Sequence, residues 1–335
     1  VRPGKAVTMM DVAREAGVSR AAVSKVIRDA YGVSPDMRKR VESAIERLGY
    51  RPSVAARAIR GSSFTIGFEL HEIENPALSR ILRGAAEGIE GTGYRLVIAP
   101  GDPEGQHAID ALVDLRVDGL VAIAPRATPA WLENLASRIP LVLVSRHDPS
   151  VNYDTVAGGD DEGARLVMRH LFDLGHRSIA HLTRSEEATA QEGGALAVRL
   201  GAYLDEMARN GRESHIQVLR TLSTSDAYHA TVGLLDSADA PTAIFASHDD
   251  LAFEVLRAVR ERGLDASDLS VVGYDNVRFA SHPGLSLTTV DQSGDDLGRR
   301  AVRLLLERIN GRTAAKHEET ELRLVVRGST APPRR

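Results

Sequence analysis

The stretch of this sequence best suited to chemistry is a short basic run, Arg20-Ala21-Ala22-Val23-Ser24-Lys25-Val26-Ile27-Arg28. At helical spacing Val23, Val26 and Ile27 form one stripe, and Arg20, Ala21, Ser24, Lys25 and Arg28 face the other way. Cations beside a small residue and a hydroxyl on one helix face suit duplex DNA. Some side chains there read base edges, and neighbouring Lys and Arg hold the helix by phosphate contacts. Catalytic sets are missing: the sequence has no Gly-x-Ser-x-Gly elbow, no His-Glu-x-x-His, and no Gly-x-Gly-x-x-Gly after a strand. Gly158 to Gly163 has the spacing that opens a phosphate loop, but Ala164-Arg165 follows where Lys-Ser/Thr is required. The absence of cysteine excludes disulfides, thiolate metal sites and a cysteine nucleophile. The eleven histidines form no metal-ligand pairs; His176 and His181 read as a helix-end loop residue and a strand-end residue. The acidic pairs Asp249-Asp250 and Asp295-Asp296 sit where helices begin and read as caps and dipole partners. The expectation is a non-enzyme without a catalytic residue, a metal or a cofactor.

Three helices position the basic run. Thr8, with Asp11 three residues on, forms a capping box, and Gly17 closes the first helix, whose apolar face is Val12, Ala13 and Ala16. After the Gly17-Val18 turn, Ser19 caps the helix that carries the basic face. Ser34-Pro35 opens a third helix, with Val41, Ala44, Ile45 and Leu48 turned inward and Gly49 at its end. Two short helices joined by a tight glycine turn and propped by a third are the layout of a helix-turn-helix, whose second helix enters the major groove. The charge distribution agrees. Residues 1–61 hold 13 Lys+Arg against 6 Asp+Glu, a net of +7, and the remainder holds 29 against 40, a net of −11. A basic head on an acidic body implies that the head meets a polyanion and the body does not.

The ordered words Thr8-x-x-Asp11-Val12-Ala13-x-x-Ala16-Gly17-Val18-Ser19, Val23-Ser24-Lys25-Val26, Val33-Ser34-x-x-x-Arg38-x-x-Val41 and Leu48-Gly49-Tyr50-x-Pro52 resemble the head of the lactose/galactose-repressor (LacI/GalR) family of bacterial transcription regulators. The resemblance implies that Arg20, Ala21 and Lys25 occupy base-reading positions, with Thr8, Ser19, Ser24 and Arg28 also at the DNA. Ala22, Lys25 and Arg28 stand where the family commonly has Thr, Arg and Asn, so a preferred base sequence does not carry over. Residues 52–61 resemble the family's hinge, with Ser53, Ala56 and Ile59 toward the minor groove. Ile59 matches the apolar wedge, which is usually Leu. A helix this short is marginal until something packs on it, and wedging costs a few kcal/mol that the bent duplex offsets.

From residue 64 onward, short β-branched runs alternate with helical patterns. The strands expected are 64–68, 95–99, 119–123, 141–144, 178–182, 243–246, 270–274 and a late 321–326. Helices such as 78–90, 162–174, 249–262 and 294–309 lie between them. This predicts parallel sheets wrapped by helices, and the length calls for two lobes with a cleft beyond the carboxyl ends of the strands. The resemblance continues through Leu174-Gly175-His176, Pro241-Thr-Ala-Ile244, Asp268-x-Ser270-Val271-Val272-Gly273-Tyr274-Asp275 and Leu287-Thr288-Thr289-Val290. It implies the fold of periplasmic sugar-binding proteins, with chain crossings near 162–174 and 288–292. It also implies effector contacts from Asn75, Asp160, Arg199, His248 and Asp275. Arg199 begins Arg199-Leu-Gly-Ala-Tyr203, where Ala202 replaces the family's Gly, and His248 stands where the family usually has Asn. A carboxylate and a guanidinium together can bracket vicinal hydroxyls.

The expected architecture is an N-terminal all-α helix-turn-helix head (1–51), a hinge helix or linker (52–63), and a two-lobed α/β periplasmic-binding-protein-like core with two parallel sheets flanked by helices. The first lobe is 64–174 plus 292–319, the second 175–291 plus 320–330, and 331–335 is a tail. The expected function is a ligand-responsive repressor that binds a palindromic double-stranded operator as a homodimer or higher oligomer. Its effector is a sugar or derivative, with a purine-like corepressor as the alternative. A cytosolic solute-binding or sugar-processing protein with an incidental basic head is the rival reading. No apolar run approaches the ~18 residues of a membrane span, and the first thirty residues lack a signal-peptide layout, so a cytoplasmic protein with no membrane partner is expected.

Overall fold

The computed structural model describes residues 7–27, 31–50, 62–71, 73–101 and 106–334. Arg28, Ser53, Ala56 and Ile59, expected at the DNA, lie outside the described residues, as does the proposed hinge over 52–61. The chain divides into two compact units at Ser63/Phe64.

The first unit is three helices, α1 (Met9–Ala16), α2 (Arg20–Ile27) and α3 (Pro35–Leu48). The capping box at α1 is reciprocal: the Asp11 backbone N–H donates to Thr8 Oγ1 at 3.3 Å, and the Thr8 backbone N–H donates to Asp11 Oδ2 at 2.9 Å. Gly17 closes α1 at φ +63°, a left-handed conformation that costs glycine nothing. Ser19 Oγ accepts the Ala22 N–H at 3.1 Å, and Ser34 Oγ accepts the Met37 N–H at 3.3 Å ahead of Pro35. Val12, Ala13, Ala16, Val23, Val26, Val41, Ala44 and Tyr50 are buried between the helices. The small Ala residues let them approach closely.

The second unit holds two six-stranded sheets. The first has the order β11-β5-β4-β3-β1-β2, where β1 is Thr65–Leu70, β2 Arg95–Pro100, β3 Gly119–Ile123, β4 Leu141–Val144, β5 Asp154–Gly158 and β11 His317–Thr320. All its pairings are parallel. The second has the order β12-β10-β9-β8-β6-β7, where β6 is Ile179–Arg184, β7 Gln217–Thr221, β8 Ala243–Ala246, β9 Ser270–Tyr274, β10 Thr288–Asp291 and β12 Arg323–Val325. Only β12 runs antiparallel. Strands covered on both faces read as unbroken apolar runs, as in Leu120-Val121-Ala122-Ile123 and Val271-Val272. Helices Leu78–Gly88 and Gly294–Ile309 cover one face of the first sheet and His107–Asp114 and Pro129–Ala136 the other. Asp160–Asp173 and Ala195–Arg209 cover one face of the second sheet, with Thr224–Leu235 and Asp249–Glu261 opposite.

The chain crosses between the sheets three times: after Gly158, after Asp291 and between Thr320 and Arg323. The Asp160–Asp173 helix buries Ala164, Val167, Met168 and Leu171 against the second sheet. It therefore packs with the second lobe, not with the first as the 64–174 boundary expected. The strand expected over 321–326 is β12 in the second sheet, and just before it the chain forms β11 in the first sheet, which the sequence reading did not expect. That strand, His-Glu-Glu-Thr, is a polar edge strand whose charges hide it from a hydropathy reading. Helices Leu78–Gly88 and Gly294–Ile309 meet backbone to backbone. A Cβ at Gly84 would overlap the Asp295 carbonyl, and one at Gly298 would overlap that of Ile81. Beside this seam Arg80 Nη1 donates to Asp291 Oδ1 at 2.8 Å and its Nε to Asp295 Oδ2 at 3.1 Å.

Candidate functional sites

In the first unit, α2 buries Val23 and Val26 and leaves Arg20, Ala21 and Lys25 exposed, with Ser24 half-buried beside them. The basic face therefore exists as the spacing implies. Ser19 and Thr8 serve as caps of α2 and α1, so each hydroxyl has a local backbone partner.

In the second unit, a cleft with about 750 Å³ of empty space, part of it open to solvent, lies at the carboxyl ends of strands from both sheets. Asn75, Arg199, His248 and Asp275 line it together. Asn75 follows β1, and its Oδ1 accepts the Ala77 N–H at 2.9 Å, fixing the approach to the Leu78–Gly88 helix. Arg199 is 1% exposed. Its Nε donates to Asp160 Oδ1 at 2.7 Å, its Nη1 donates to the Ser247 carbonyl at 2.6 Å, and its guanidinium lies 3.6 Å from the Tyr274 ring centre. Burial works against the Arg199 charge, but Asp160, Tyr274 and Asp275 outweigh it and hold its pKa above the ordinary value.

Asp160 does not line the cleft. It is fully buried behind Arg199, and its Oδ2 pairs with His147 Nε2 at 2.8 Å. Burial alone would raise its pKa, yet Arg199 and His147 bring it below the usual value. His147 in turn is held above the ordinary imidazole value: burial opposes its charge, and the bond to Asp160 overrides that. The expected effector contact is thus a positioning group for Arg199.

Asp275 has φ +114°, a left-handed backbone rare outside glycine and a form of strain found at ligand sites. Its two carboxylate oxygens accept from His248 Nδ1 at 3.2 Å and from Gln292 Nε2 at 2.6 Å. Sequence reasoning missed His71, Arg126, Ser145, Gln191 and Gln292, which complete the polar lining, and Leu78, Ile81, Ile123 and Leu196, which form its apolar wall. No local motif marks them, because they come from loops, helix starts and a strand end spread along the chain. At the rim the lobes touch: the His147 N–H donates to the Gly193 carbonyl at 2.8 Å, and Gln191 Nε2 donates to the Pro125 carbonyl at 2.6 Å.

Two further readings need correction. Asp249 does not act as a helix cap. It accepts from Thr289 Oγ1 at 2.6 Å and from the Val277 N–H at 2.8 Å, tying the loop after Asp275 in place. Burial and the nearby Asp275 charge push its pKa well above the carboxylate range. His181 lies within β6, stacked on Tyr203, and burial lowers its pKa to about 3. Among the described residues no cluster of acids and histidines could hold a metal ion, and no helix is long and apolar enough to cross a membrane.

A helix-turn-helix with an exposed basic second helix and a two-lobed core around a polar cleft together define a DNA-binding transcriptional regulator with an effector-binding core. Residues 8–53 match the model for bacterial regulatory proteins of the lacI family, and 168–330 match the periplasmic binding protein-like domain. The chain belongs to the LacI family of bacterial regulatory proteins. It is 31% identical to catabolite control protein A of Priestia megaterium, over 92% of this chain and 94% of that protein. It is 32% identical to the HTH-type transcriptional repressor PurR of Haemophilus influenzae, over 90% of this chain and 91% of that one. The crystal structure of the lac repressor dimer bound to operator and the anti-inducer ONPF superposes with a TM-score of 0.83 at 28% identity, covering 98% and 100% of the two chains. A LacI-family regulator from Enterococcus faecium with bound ribose gives a TM-score of 0.72 at 28% identity, covering 80% of this chain and 99% of that one.

Proposed function

We propose that the protein is a cytoplasmic repressor, without enzymatic activity, that grips a palindromic operator as a homodimer. A sugar or sugar derivative bound in the cleft controls that grip. Arg20, Ala21, Ser24 and Lys25 meet the major groove. Arg199, His248, Asp275 and Asn75 hold the effector, and Asp160 orients Arg199. One observation carries the reading: a buried guanidinium and a twice-anchored carboxylate share one cleft wall. Such a wall supplies fixed donors and acceptors for vicinal hydroxyls. Effector occupancy and operator affinity then change each other reciprocally.

The similarity to PurR favours a purine as the second reading. Among the described residues lining the cleft, however, there is no Phe, Tyr or Trp on which a purine could stack. Aliphatic Leu78, Ile81, Ile123 and Leu196 suit the C–H faces of a saturated ring better. The test is duplex binding by anisotropy with a palindrome selected from a random pool. Affinity should fall with salt at a log–log slope of about −0.9 per phosphate neutralised, and it should change when the effector is added. A salt-insensitive protein with no preference for any palindrome would leave a solute-binding protein in its place.

A further inference from the structure

His248 is held unusually tightly for a cleft residue. It sits at the junction of β8 and the Asp249–Glu261 helix with extended backbone, φ −146° and ψ 155°, and its ring does not cap that helix. The Ser247 carbonyl before it accepts from Arg199, and the Asp249 carboxylate after it is locked to Thr289 and Val277. The ring is nine-tenths buried, with Nδ1 on Asp275 Oδ2. A carboxylate only accepts, so Nδ1 carries the proton. In the neutral ring Nε2 is then a bare lone pair on the cleft side, with no partner among the described residues. Gln292 on the other Asp275 oxygen keeps the carboxylate from rotating away.

We propose, resting on the reading of this cleft as the effector site, that His248 sets the hydrogen-bond polarity the cleft demands: Nε2 accepts from a hydroxyl or ring N–H of the effector, and protonating the ring reverses the preference. An asparagine at this place can turn its amide to donate or accept. A histidine anchored at Nδ1 offers one character per charge state. The charged and titratable groups around it are Asp275, Arg199 and the neighbouring Asp249 from its own lobe, His181 beneath it, and His71 and Arg126 on the cleft from the other lobe. The consequence is an effector affinity linked to a single proton. A charged ring, which can only donate, should therefore bind the effector more weakly than the neutral ring.

The first arm of the test needs no effector. Long-range proton–nitrogen NMR of 15N-histidine-labelled protein, with His248 assigned by comparison with His248→Asn, reads the tautomer directly. The Nδ1–H form at high pH is expected, and an Nε2–H form overturns the proposal. The second arm adds ribose, cellobiose or hypoxanthine and follows thermal stability from pH 5 to 8. The stabilising compound should shift the Nε2 resonance and lose its pH dependence in His248→Asn, and which compound it is separates a hydroxyl from a ring N–H. A compound that raises stability through Arg199 but leaves the Nε2 signal and the pH slope untouched overturns the proposal and spares the effector reading. If none of the three stabilises the protein, that counts against the effector reading, and the tautomer still decides the role of His248.

Discussion

Replacing Asp160 by Asn tests the electrostatics beneath the cleft most severely. The carboxylate is fully buried between Arg199 at 2.7 Å and His147 at 2.8 Å. Removing one member of a buried ion pair costs roughly 3–5 kcal/mol, because the remaining charge stays out of water without compensation. The asparagine oxygen can still accept from Arg199, and the Ser247 carbonyl and Tyr274 ring stay in place, so the lower end of that range applies. At ~2–4 °C per kcal/mol for a large domain, the core should melt about 6–12 °C lower. The loss also depends on pH. His147 has its folded pKa raised by Asp160, so its contribution is fully present below the unfolded imidazole value of ~6.5 and disappears as pH rises through the folded value. Asp160 has its folded pKa lowered, so its own contribution is lost only in acid, as pH falls through the folded value. The gap in Tm between wild type and Asp160→Asn should therefore be wider at pH 6 than at pH 8.5, measured by calorimetry. A gap under about 2 °C, or one that does not change with pH, would refute the assignment of the His147–Asp160–Arg199 relay.

Three further outcomes are expected. Lys25→Ala should lose about 1–3 kcal/mol of discrimination between the selected operator and random duplex, read by competition anisotropy, with no change in Tm of the core. Asp275→Asn should keep the fold but lose the rise in Tm on adding effector; an undiminished rise would take Asp275 out of the binding wall. Gly298→Ala should lower the unfolding free energy, read from urea melts, by at least the ~1–3 kcal/mol of an overpacked core, since the obstacle is the Ile81 carbonyl and not a movable side chain. A neutral effect would mean the helices separate at no cost.

The head was legible almost residue by residue, because its signals are local. Thr8, Gly17, Ser34 and Gly49 each announce a helix end through a bond within four residues, and Pro35 does so through its fixed φ and missing N–H. The core's strands were legible where apolar runs are buried on both faces, as in β3, β8 and β9. They were lost in β5, β7, β10 and β11, whose Asp, Gln, Arg, Thr, His and Glu residues hide the pattern. The cleft was half legible. Arg199, His248 and Asp275 sit in recurring phrases, whereas Arg126, Gln191 and Gln292 reach it only through tertiary placement. Asp160 was misread because sequence gives proximity to a strand end but not which side of a neighbour a carboxylate occupies. Gly163, whose spacing from Gly158 hinted at a phosphate loop, owes its glycine to the Tyr274 hydroxyl, which fills the space of a Cβ.

The close approach of the helices at Gly84 and Gly298 has a mechanical consequence. One helix of that pair carries Leu78 and Ile81 to the cleft, and the other leaves the second sheet directly after β10. With no side chains interposed, the pair forms a stiff lever, and a tilt of one lobe reaches the other's inner wall with little slack to absorb it. Descendants of this chain can exchange the groups that choose a small molecule and so drift toward new signals. The gearing beneath cannot drift with them, since nothing larger than a hydrogen atom fits between its teeth.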